Sequence, residues 1–302
     1  MQPKTHILHG FYPPVNFILE GLDSADPTVD AMEIACKKNG LLQTIVAGLG
    51  LARVFPSLFF EKETLERFKQ VRSGDRIIMI DNLHRPIMRA MRDTLPTNIE
   101  RHCFLWTPVS KRKRNVRRLR ERAKVFHLSS FDEDIRLLYP DIKIESSFYR
   151  FPPASMLAEV NPEYDCFFIG YEKGRREILQ NILNDIQKVG LNPYFKIFQR
   201  GEKSLPYLDT LEMVRRSRCI VDVTLSTKGM TLRPLEALFF GKKLITNNPD
   251  IMKERLYHPK NVFVWGQDDL GKLHDFVTSP FLPLPDEVSQ FYDINSWVRR
   301  IT

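Results

Sequence analysis

The sequence predicts an α/β protein with two domains, each built on a parallel sheet. Its 302 residues suffice for two domains of about 150 residues each. Short apolar segments alternate with amphipathic segments, which is typical of parallel strands covered by helices. A segment with three prolines, 149–165, interrupts this alternation, which then resumes. We therefore expect an amino-terminal domain over 1–155, a carboxyl-terminal domain over 156–285 and a final helix over 286–302.

In the first domain, the segment 28–40 is predicted to be a helix that Gly40 closes. Short apolar runs bounded by glycine, asparagine or proline predict strands, and amphipathic stretches between them predict helices. After the first helix, the predicted order is helix 62–71, strand 75–81, helix 85–96, strand 101–109, helix 112–124 and strand 123–130.

The second domain repeats the pattern with clearer boundaries. Its long helix is predicted to end at Gly190, and its tail is amphipathic. The predicted order is strand 164–170, helix 174–190, strand 194–199, helix 207–217, strand 218–225, helix 231–241, strand 243–247, strand 261–265 and helix 285–302. In open parallel sheets, ligands bind beyond the carboxyl ends of the strands, so the loops at those ends are the ones to inspect.

Composition indicates a soluble globular protein without a metal. Hydrophobic residues make up 43% of the chain, charged residues make up 27%, and no apolar run is long enough to span a bilayer. The first residues do not resemble a signal peptide, so we expect a cytoplasmic protein. The histidines do not cluster, so a structural metal is not expected. Disulfides are not expected either, because the cysteines are far apart in the sequence. They are Cys36, Cys103, Cys166 and Cys219.

The loop after the first strand of the second domain carries several cations. Lys173, Arg175 and Arg176 follow Gly170 and flank a predicted helix start. Free N–H groups at a helix start, with cations beside them, favour an anion such as a diphosphate. Alternatively, the arginines are solvated first-turn residues, although cations there oppose the helix dipole. We predict an anion site that includes Gly170, Lys173 and Arg175.

A second loop, 226–230, leads into the helix that contains Glu236. Thr231 is a predicted N-cap, and Gly229 allows a ligand to approach the backbone closely. A carboxylate at Glu236 can accept hydrogen bonds from two vicinal ribose hydroxyls. Alternatively, Glu236 is a surface residue that complements the helix dipole, and spacing alone leaves both readings open. The predicted donor contacts in this region are Thr224, Ser226, Lys228, Gly229, Met230, Thr231, Arg233 and Glu236.

Several segments together resemble GT-B glycosyltransferases, especially small sugar transferases of bacterial lipopolysaccharide, O-antigen and capsule assembly. These segments are "KGMTLRPLEALFFGKKLITNN", "YHPKNVFVW", "FFIGYEKGRREIL", "CFLWTPV" and "FYDINSWVRRI". The resemblance implies two Rossmann-like domains with an inter-domain cleft and a carboxyl-terminal helix that packs back toward the first domain. It implies that Glu236 holds the ribose of a nucleotide sugar and that no metal or other cofactor is used. Many retaining members carry a glutamate where this chain has Lys228, so the stereochemistry is left open.

The first domain is expected to bind the acceptor. Asp81 and His84 follow a predicted strand and are candidate catalytic bases, which an inverting transfer requires. Alternatively, Asp81 caps the next helix and His84 is a loop residue. Asp132 and Asp134 have the spacing of a metal-binding Asp-x-Asp motif, but their context is that of acidic residues at a helix start.

One segment, 110–124, accounts for the net charge of the protein. It holds nine Lys/Arg and one Glu, which equals the formal net charge of +8 of the whole chain. Val116, Leu119 and Ala123 form a narrow apolar stripe on the predicted helix. The segment could bind an anionic membrane or acceptor, bind nucleic acid, or be a solvated helix. We favour the membrane or acceptor, and the predicted patch is Lys111, Arg112, Lys113, Arg114, Arg117 and Arg118.

The sequence thus predicts a metal-independent hexosyl or other glycosyltransferase that uses a nucleotide-sugar donor and a lipid-linked bacterial glycan as acceptor. We expect it at the inner face of the cell membrane and expect no nucleic-acid partner. Two alternatives remain. One is a nucleic-acid-binding protein that uses the basic helix 111–124, and the other is a catalytically silent GT-B partner subunit.

Overall fold

The computed structural model describes residues 2–10, 12–38, 40–80, 85–107, 113–225 and 229–301. Contacts between residues divide the chain into two compact units. The first unit is Met1–Glu145 with Val298–Thr302, and the second is Ser146–Trp297. The predicted domain boundaries at 155/156 and 285/286 stay predictions.

The first unit contains a six-stranded sheet in the order β2-β1-β3-β4-β5-β6. Every pairing in it is parallel. Buried aliphatic and aromatic side chains form a core between the sheet and the helices that follow β2, β3 and β4. The strands are β1 Thr5–His9, β2 Val29–Glu33, β3 Arg76–Ile80, β4 Glu100–Leu105, β5 His127–Ser130 and β6 Lys143–Ile144.

The helices of the first unit connect these strands. They are α1 Pro13–Leu19, α2 Leu22–Ala25, α3 Leu41–Gly48, α4 Lys62–Phe68, α5 Arg85–Thr94 and α6 Lys113–Ala123. Short 3-10 helices lie at Leu51–Arg53, Pro56–Leu58 and Glu133–Leu137.

The predicted helix over 28–40 is wrong. Residues Val29–Glu33 form strand β2, which pairs in parallel with β1, a strand that the sequence did not predict. Alanine, methionine and glutamate in this segment favour a helix by propensity, but burial of Val29 and Met32 against the sheet overrides that preference.

The second unit contains a five-stranded parallel sheet in the order β11-β10-β9-β7-β8. Its core lies between the sheet and two helices, Arg176–Lys188 and Leu273–Thr278. All five strands correspond to predicted ones. They are β7 Tyr164–Tyr171, β8 Pro193–Phe198, β9 Ser217–Asp222, β10 Lys243–Thr246 and β11 Val262–Val264.

The helices of the second unit follow the predicted order, with two additions at 154–157 and 273–278. The predicted tail helix is broken at Asp293 into two helices. The helices are α7 Ala154–Leu157, α8 Arg176–Lys188, α9 Tyr207–Arg215, α10 Leu232–Phe239, α11 Leu273–Thr278, α12 Asp286–Tyr292 and α13 Ile294–Ile301, with 3-10 helices at Pro249–Lys253 and Leu270–Lys272. The residues of α13 from Val298 onward belong to the first unit. Within the described residues, no helix is both long enough and apolar enough to cross a bilayer.

The two sheets share one strand order. When strands are numbered within each unit, both sheets read 2-1-3-4-5, and the first sheet adds a sixth strand at its end. The predicted α/β class with two parallel, Rossmann-like sheets is therefore confirmed. In this order, the chain leaves the first and third strands in opposite directions and opens a crevice at their carboxyl ends. That switch point lies between β1 and β3 in the first unit, and between β7 and β9 in the second.

Candidate functional site

The turn between β7 and α8 forms one side of the switch point in the second unit. Lys173 (φ 45°) and Gly174 (φ 80°) are consecutive residues in the left-handed region, and the amide of Arg175 donates to the carbonyl oxygen of Glu172 at 2.9 Å. Among the described residues, Lys173 is the one non-glycine residue with a positive φ. Such a conformation costs a residue with a Cβ roughly 1 kcal/mol or more, so a lysine here is unusual and its exposed ammonium group is a candidate ligand contact.

The side chain of Arg175 turns inward and joins the two loops of the switch point. Its Nη1 donates to the carbonyl oxygen of Val223 and its Nη2 to that of Tyr171, both at 2.6 Å. A Cβ added at Gly170 would lie 3.5 Å from Nη2, an ordinary van der Waals contact, so the guanidinium group packs beside this position without requiring glycine there. Arg175 therefore fixes the carboxyl end of β7 against that of β9, and its predicted contact with a diphosphate stays a prediction.

The loop between β9 and α10 forms the other side of the switch point. Thr231 is the N-cap of α10, as predicted, but its side chain makes no capping hydrogen bond. Gly229 has φ 108°, a conformation that favours glycine. Pro234 lies in the first helical turn, where its missing N–H group costs no intrahelical bond.

Side chains from outside the loop hold its carbonyl groups. Asn248 Nδ2 donates to the carbonyl oxygen of Gly229 at 3.1 Å, and Ser147 Oγ donates to that of Met230 at 2.8 Å. Asn247 makes two hydrogen bonds of 2.8 Å with the backbone N–H and carbonyl of Thr224. The described ends of the loop are therefore fixed by polar contacts on both sides of the site.

Glu236 is only 2% exposed, so the reading of this residue as a surface charge is wrong. The hydroxyl of Tyr207 donates to Oε2 of Glu236 at 3.0 Å, and the hydroxyl of Tyr149 lies 2.9 Å from that of Tyr207. Arg233 Nη1 lies 3.5 Å from Oε1 of Glu236, but the pair lacks hydrogen-bond geometry.

Two buried polar atoms near the start of α10 lack a hydrogen-bond partner among the described residues, Arg233 Nη1 and Glu236 Oε1. The side chain of Thr231 faces Asp222 and helps to hold down the pKa of that carboxyl group. Buried polar groups are nearly always paired in folded proteins, and leaving one unpaired costs about 1–3 kcal/mol. Arg233 Nη1 and Glu236 Oε1 form an ion pair at 3.5 Å without a hydrogen bond, which makes them candidate contacts for a polar ligand.

Four charged side chains form the electrostatic centre of this region. Burial raises the pKa of Glu236, whereas Arg233 and the hydrogen bond from Tyr207 act against the rise. Burial likewise raises the pKa of Asp222 at the end of β9, and Arg233 and Arg175 oppose it. Arg233 Nη2 also donates to the carbonyl oxygen of Ile169 at 2.9 Å. The two arginines thus balance two buried carboxyl groups.

Several of these residues are not predicted from the sequence. Asp222 is an acidic residue at the carboxyl end of a buried apolar strand, a signal that could have been read. Tyr207, Tyr149, Asn247 and Asn248 gave no such signal, because nothing in their local sequence indicates a contact with residues 224–236.

In the first unit, the predicted bases Asp81 and His84 lie outside the described residues, as do Ser226 and Lys228 of the donor loop. The structure does describe His9, at the carboxyl end of β1, where it stands in register with Ile80 of β3. Burial lowers the pKa of His9, so its imidazole is neutral at physiological pH. His9 is therefore a further candidate base at the switch point of the first unit.

The predicted basic patch is described in part. Lys111 and Arg112 lie outside the described residues, as do the side chains of Lys113 and Arg114. Arg117 and Arg118 are exposed on α6. Leu119 is buried in the core of the first unit, so the predicted apolar stripe faces the protein rather than solvent. Membrane contact by this patch stays a prediction.

Within the described part of the chain, no group of three or more His, Cys, Asp or Glu side chains could hold a metal ion. Metal independence stays a prediction, because it concerns the reaction as well as the residues.

The sequence matches no protein-family model and no curated protein. Its chain trace is similar to solved structures at low sequence identity. A glycosyltransferase from Rickettsia africae ESF-5 is 9% identical over 99% of this chain and 97% of its own, with a TM-score of 0.49. Alr3699/HepE of Anabaena, in complex with UDP and glucose, is 9% identical over 98% of this chain and 94% of its own, with a TM-score of 0.48.

A third similar structure is that of accessory secretory protein 1, 2 and 3 in Streptococcus pneumoniae. It is 12% identical, and the match covers 84% of this chain and 53% of that chain, with a TM-score of 0.43. This chain therefore spans about half the length of the pneumococcal chain. These similarities concern the course of the chain, and any activity has to be argued from the site.

Proposed function

We propose that this protein is a glycosyltransferase that binds a nucleotide sugar at the switch point of the second unit. The observation that carries the proposal is the pair of buried, facing atoms Glu236 Oε1 and Arg233 Nη1, neither of which has a hydrogen-bond partner among the described residues. A ribose hydroxyl can donate to the carboxylate and accept from the guanidinium group at the same time. A ribose hydroxyl would therefore supply both atoms with the hydrogen bonds that their 3.5 Å ion pair does not provide.

The diphosphate of the donor would lie at the beginning of α10 and near the turn before α8. Unpaired N–H groups at a helix N-terminus attract anions, and Lys173 adds an exposed positive charge. The positive φ of Gly229 and the absence of a Cβ there allow phosphate oxygens to approach the backbone. The remaining predicted contacts, Thr224 and Met230, border this position.

In the reaction, the bond between the anomeric carbon and the diphosphate oxygen breaks, and a bond forms from an acceptor hydroxyl oxygen to that carbon. The diphosphate leaves with the bonding electron pair. Lys173 and the helix N-termini stabilise its developing charge without a metal. The acceptor proton passes to a base in an inverting transfer, for which Asp81, His84 and His9 are the candidates. A retaining transfer does not require a protein base.

The acceptor proposed is a lipid-linked glycan of bacterial surface polysaccharide assembly, such as lipopolysaccharide, O-antigen or capsule. The exposed cations Arg117 and Arg118 support contact with an anionic acceptor or membrane surface. The protein would then act in the cytoplasm, peripherally bound to the inner face of the cell membrane.

The decisive experiment measures nucleotide binding by thermal shift with UDP, GDP, CMP and dTDP. A ligand at 100 times its Kd adds about 2.7 kcal/mol to the free energy of unfolding, which gives a clear shift in Tm. The nucleotide that stabilises most is then compared with its counterpart lacking the ribose hydroxyls. The wild-type protein should bind that counterpart about tenfold or more weakly, because two buried atoms lose their partner.

The same comparison in Glu236→Gln should show little difference between the two nucleotides. Glu287→Gln, in the exposed first turn of α12, is the matched control and should retain the wild-type preference. If no nucleotide stabilises the protein, or if Glu236→Gln discriminates as the wild type does, the donor site is assigned wrongly. Nucleotide binding without transfer to any acceptor would support a catalytically silent subunit. Salt-sensitive binding to DNA or RNA without nucleotide-sugar binding would support the nucleic-acid alternative.

A further inference from the structure

Helix α3 and the residues that follow it, 49–55, expose a group of large apolar side chains. Isolated exposed leucines are common on soluble proteins, but a group of neighbouring ones marks an interaction surface. The members of this group, which we call the apolar face, are Leu41 (78% exposed), Leu42 (59%), Ile45 (49%), Leu49 (68%), Val54 (66%) and Phe55 (48%).

The geometry of α3 shows that its apolar residues point outward. At about 100° per residue, Leu41, Leu42, Ile45 and Leu49 fall within an arc of about 100° on one side of the helix. The opposite side is buried and includes Gln43, which is only 6% exposed. A soluble surface helix normally has the reverse arrangement, with polar residues outside and apolar residues inside.

Hydrogen bonds fix this orientation. Gln43 Oε1 accepts from the backbone N–H of Gly40, and its Nε2 donates to the carbonyl oxygen of Leu58, both at 2.6 Å. Val46 and Ala47 on the same side belong to the core of the first unit. A rotation of α3 that buried the leucines would break both hydrogen bonds of Gln43 and withdraw Val46 and Ala47 from the core. The apolar face is therefore a stable feature of the fold.

The charge of the surrounding segment indicates what covers the face. From 34 to 60 the chain has no acidic residue, whereas Lys37, Lys38 and Arg53 are exposed. Both α3 and the 3-10 helix Leu51–Arg53 pack against α5, which in turn packs against the basic helix α6. Exposed apolar side chains with exposed cations next to them in the chain match the two layers of an anionic bilayer, whose acyl chains lie beneath phosphate groups.

We propose that the apolar face docks on an anionic lipid bilayer. The side chains of Leu41, Leu49 and Phe55 would enter the boundary between headgroups and acyl chains, while Lys37, Lys38 and Arg53 would lie among the lipid phosphates. This proposal rests on the proposed function, because a lipid-linked acceptor is the reason for the protein to bind a bilayer. It does not depend on the donor site, so the two proposals can fail separately.

The test is sedimentation with phosphatidylcholine vesicles, with and without phosphatidylglycerol. The wild type should sediment with the anionic vesicles. Leu41→Gln/Leu49→Gln should weaken this binding on the order of tenfold, because both side chains are outside the core and leave the membrane. Replacing Lys37, Lys38 and Arg53 by Ser should weaken it about fivefold per cation and reduce the preference for phosphatidylglycerol.

The matched control is Leu137→Gln/Leu157→Gln, which removes two exposed leucines (70% and 49%) outside the apolar face. This control should bind vesicles as the wild type does. Melting curves and nucleotide binding, measured on every variant, should be unchanged and so exclude unfolding. Unaltered sedimentation of Leu41→Gln/Leu49→Gln would overturn the proposal. So would a wild-type dimer that this variant converts to a monomer while neither binds vesicles, because the face would then cover a second copy of the chain.

Discussion

The hydroxyl of Tyr207 donates a hydrogen bond of 3.0 Å to Oε2 of the buried Glu236. The two residues lie 29 positions apart in sequence, on α9 and α10. This bond leaves Oε1 as the oxygen that faces Arg233 and lacks a partner among the described residues. Tyr207 therefore sets which carboxylate oxygen a ligand can reach.

Replacing Tyr207 by Phe should destabilise the second unit by about 1–3 kcal/mol, because a buried carboxylate oxygen loses its donor. It should also weaken nucleotide binding, because Glu236 would become easier to protonate and free to reorient. The measurements are Tm and nucleotide titration. Tyr292→Phe is a matched control, since the hydroxyl of Tyr292 donates to Glu254 at 2.8 Å. That variant should lose stability and keep nucleotide affinity, and equal losses of affinity would contradict the role of Tyr207.

Replacing Lys173 by Gly separates the backbone of the turn from its charge. Glycine adopts φ near 45° without strain, so the substitution should leave the free energy of unfolding nearly unchanged. Affinity for the nucleoside diphosphate should fall about fivefold, which corresponds to about 1 kcal/mol for one exposed charge contact. The affinity for the nucleoside alone should not change. Lys203→Gly, in another exposed loop, should affect neither ligand. A uniform loss for both ligands would show that the turn, and not the charge, matters.

The stability of the first unit should depend on pH through His6. Its imidazole bridges two carboxylates, with Nδ1 2.6 Å from Asp30 and Nε2 3.1 Å from Asp75. Burial acts to lower the pKa of His6, but the hydrogen bonds and charges of Asp30 and Asp75 outweigh it and raise the pKa above 6.5. The stabilisation is therefore complete below pH 6.5 and is lost as pH rises through the raised pKa of the folded state.

The measurement is denaturant unfolding across pH 5 to 9, followed by hydrogen exchange at amides of β1 and β3. The wild type should lose protection in these strands with rising pH, and His6→Gln should show a flatter profile. His274→Gln, on the exposed surface, should retain the wild-type profile. A wild-type profile that rises over this range would contradict the assignment.

The fold of the second unit could be predicted from sequence because its strands are short apolar runs between amphipathic helices. The first unit was harder for a physical reason. β1 contains two histidines among its five buried residues, so it does not resemble a buried strand until Asp30 and Asp75 are known to pair with His6. Three of the five residues of β2, Ala31, Met32 and Glu33, favour helices, yet the segment is a strand that pairs with β1.

The candidate site could be predicted as far as it depends on local sequence. Gly229, Thr231 and Glu236 are visible as a permissive backbone position, a helix start and a carboxylate within eight consecutive residues. Tyr207 donates the hydrogen bond to Glu236, and Tyr149 contacts Tyr207. Both tyrosines are far from Glu236 in sequence, so local sequence does not predict these contacts. Arg175 illustrates the same limit, because its direction toward backbone carbonyl groups is a property of the folded sheet.

The bonds from Asn248 to Gly229 and from Ser147 to Met230 have a consequence for affinity. Fixing the backbone of one residue costs about 1–2 kcal/mol of conformational entropy, and here that ordering occurs when the second unit folds. A ligand that meets these residues does not have to immobilise them, so its contacts appear more fully as binding free energy. Because of this preorganisation, ligand affinity depends on residues that the ligand does not contact. Asn248 and Ser147 are two such residues.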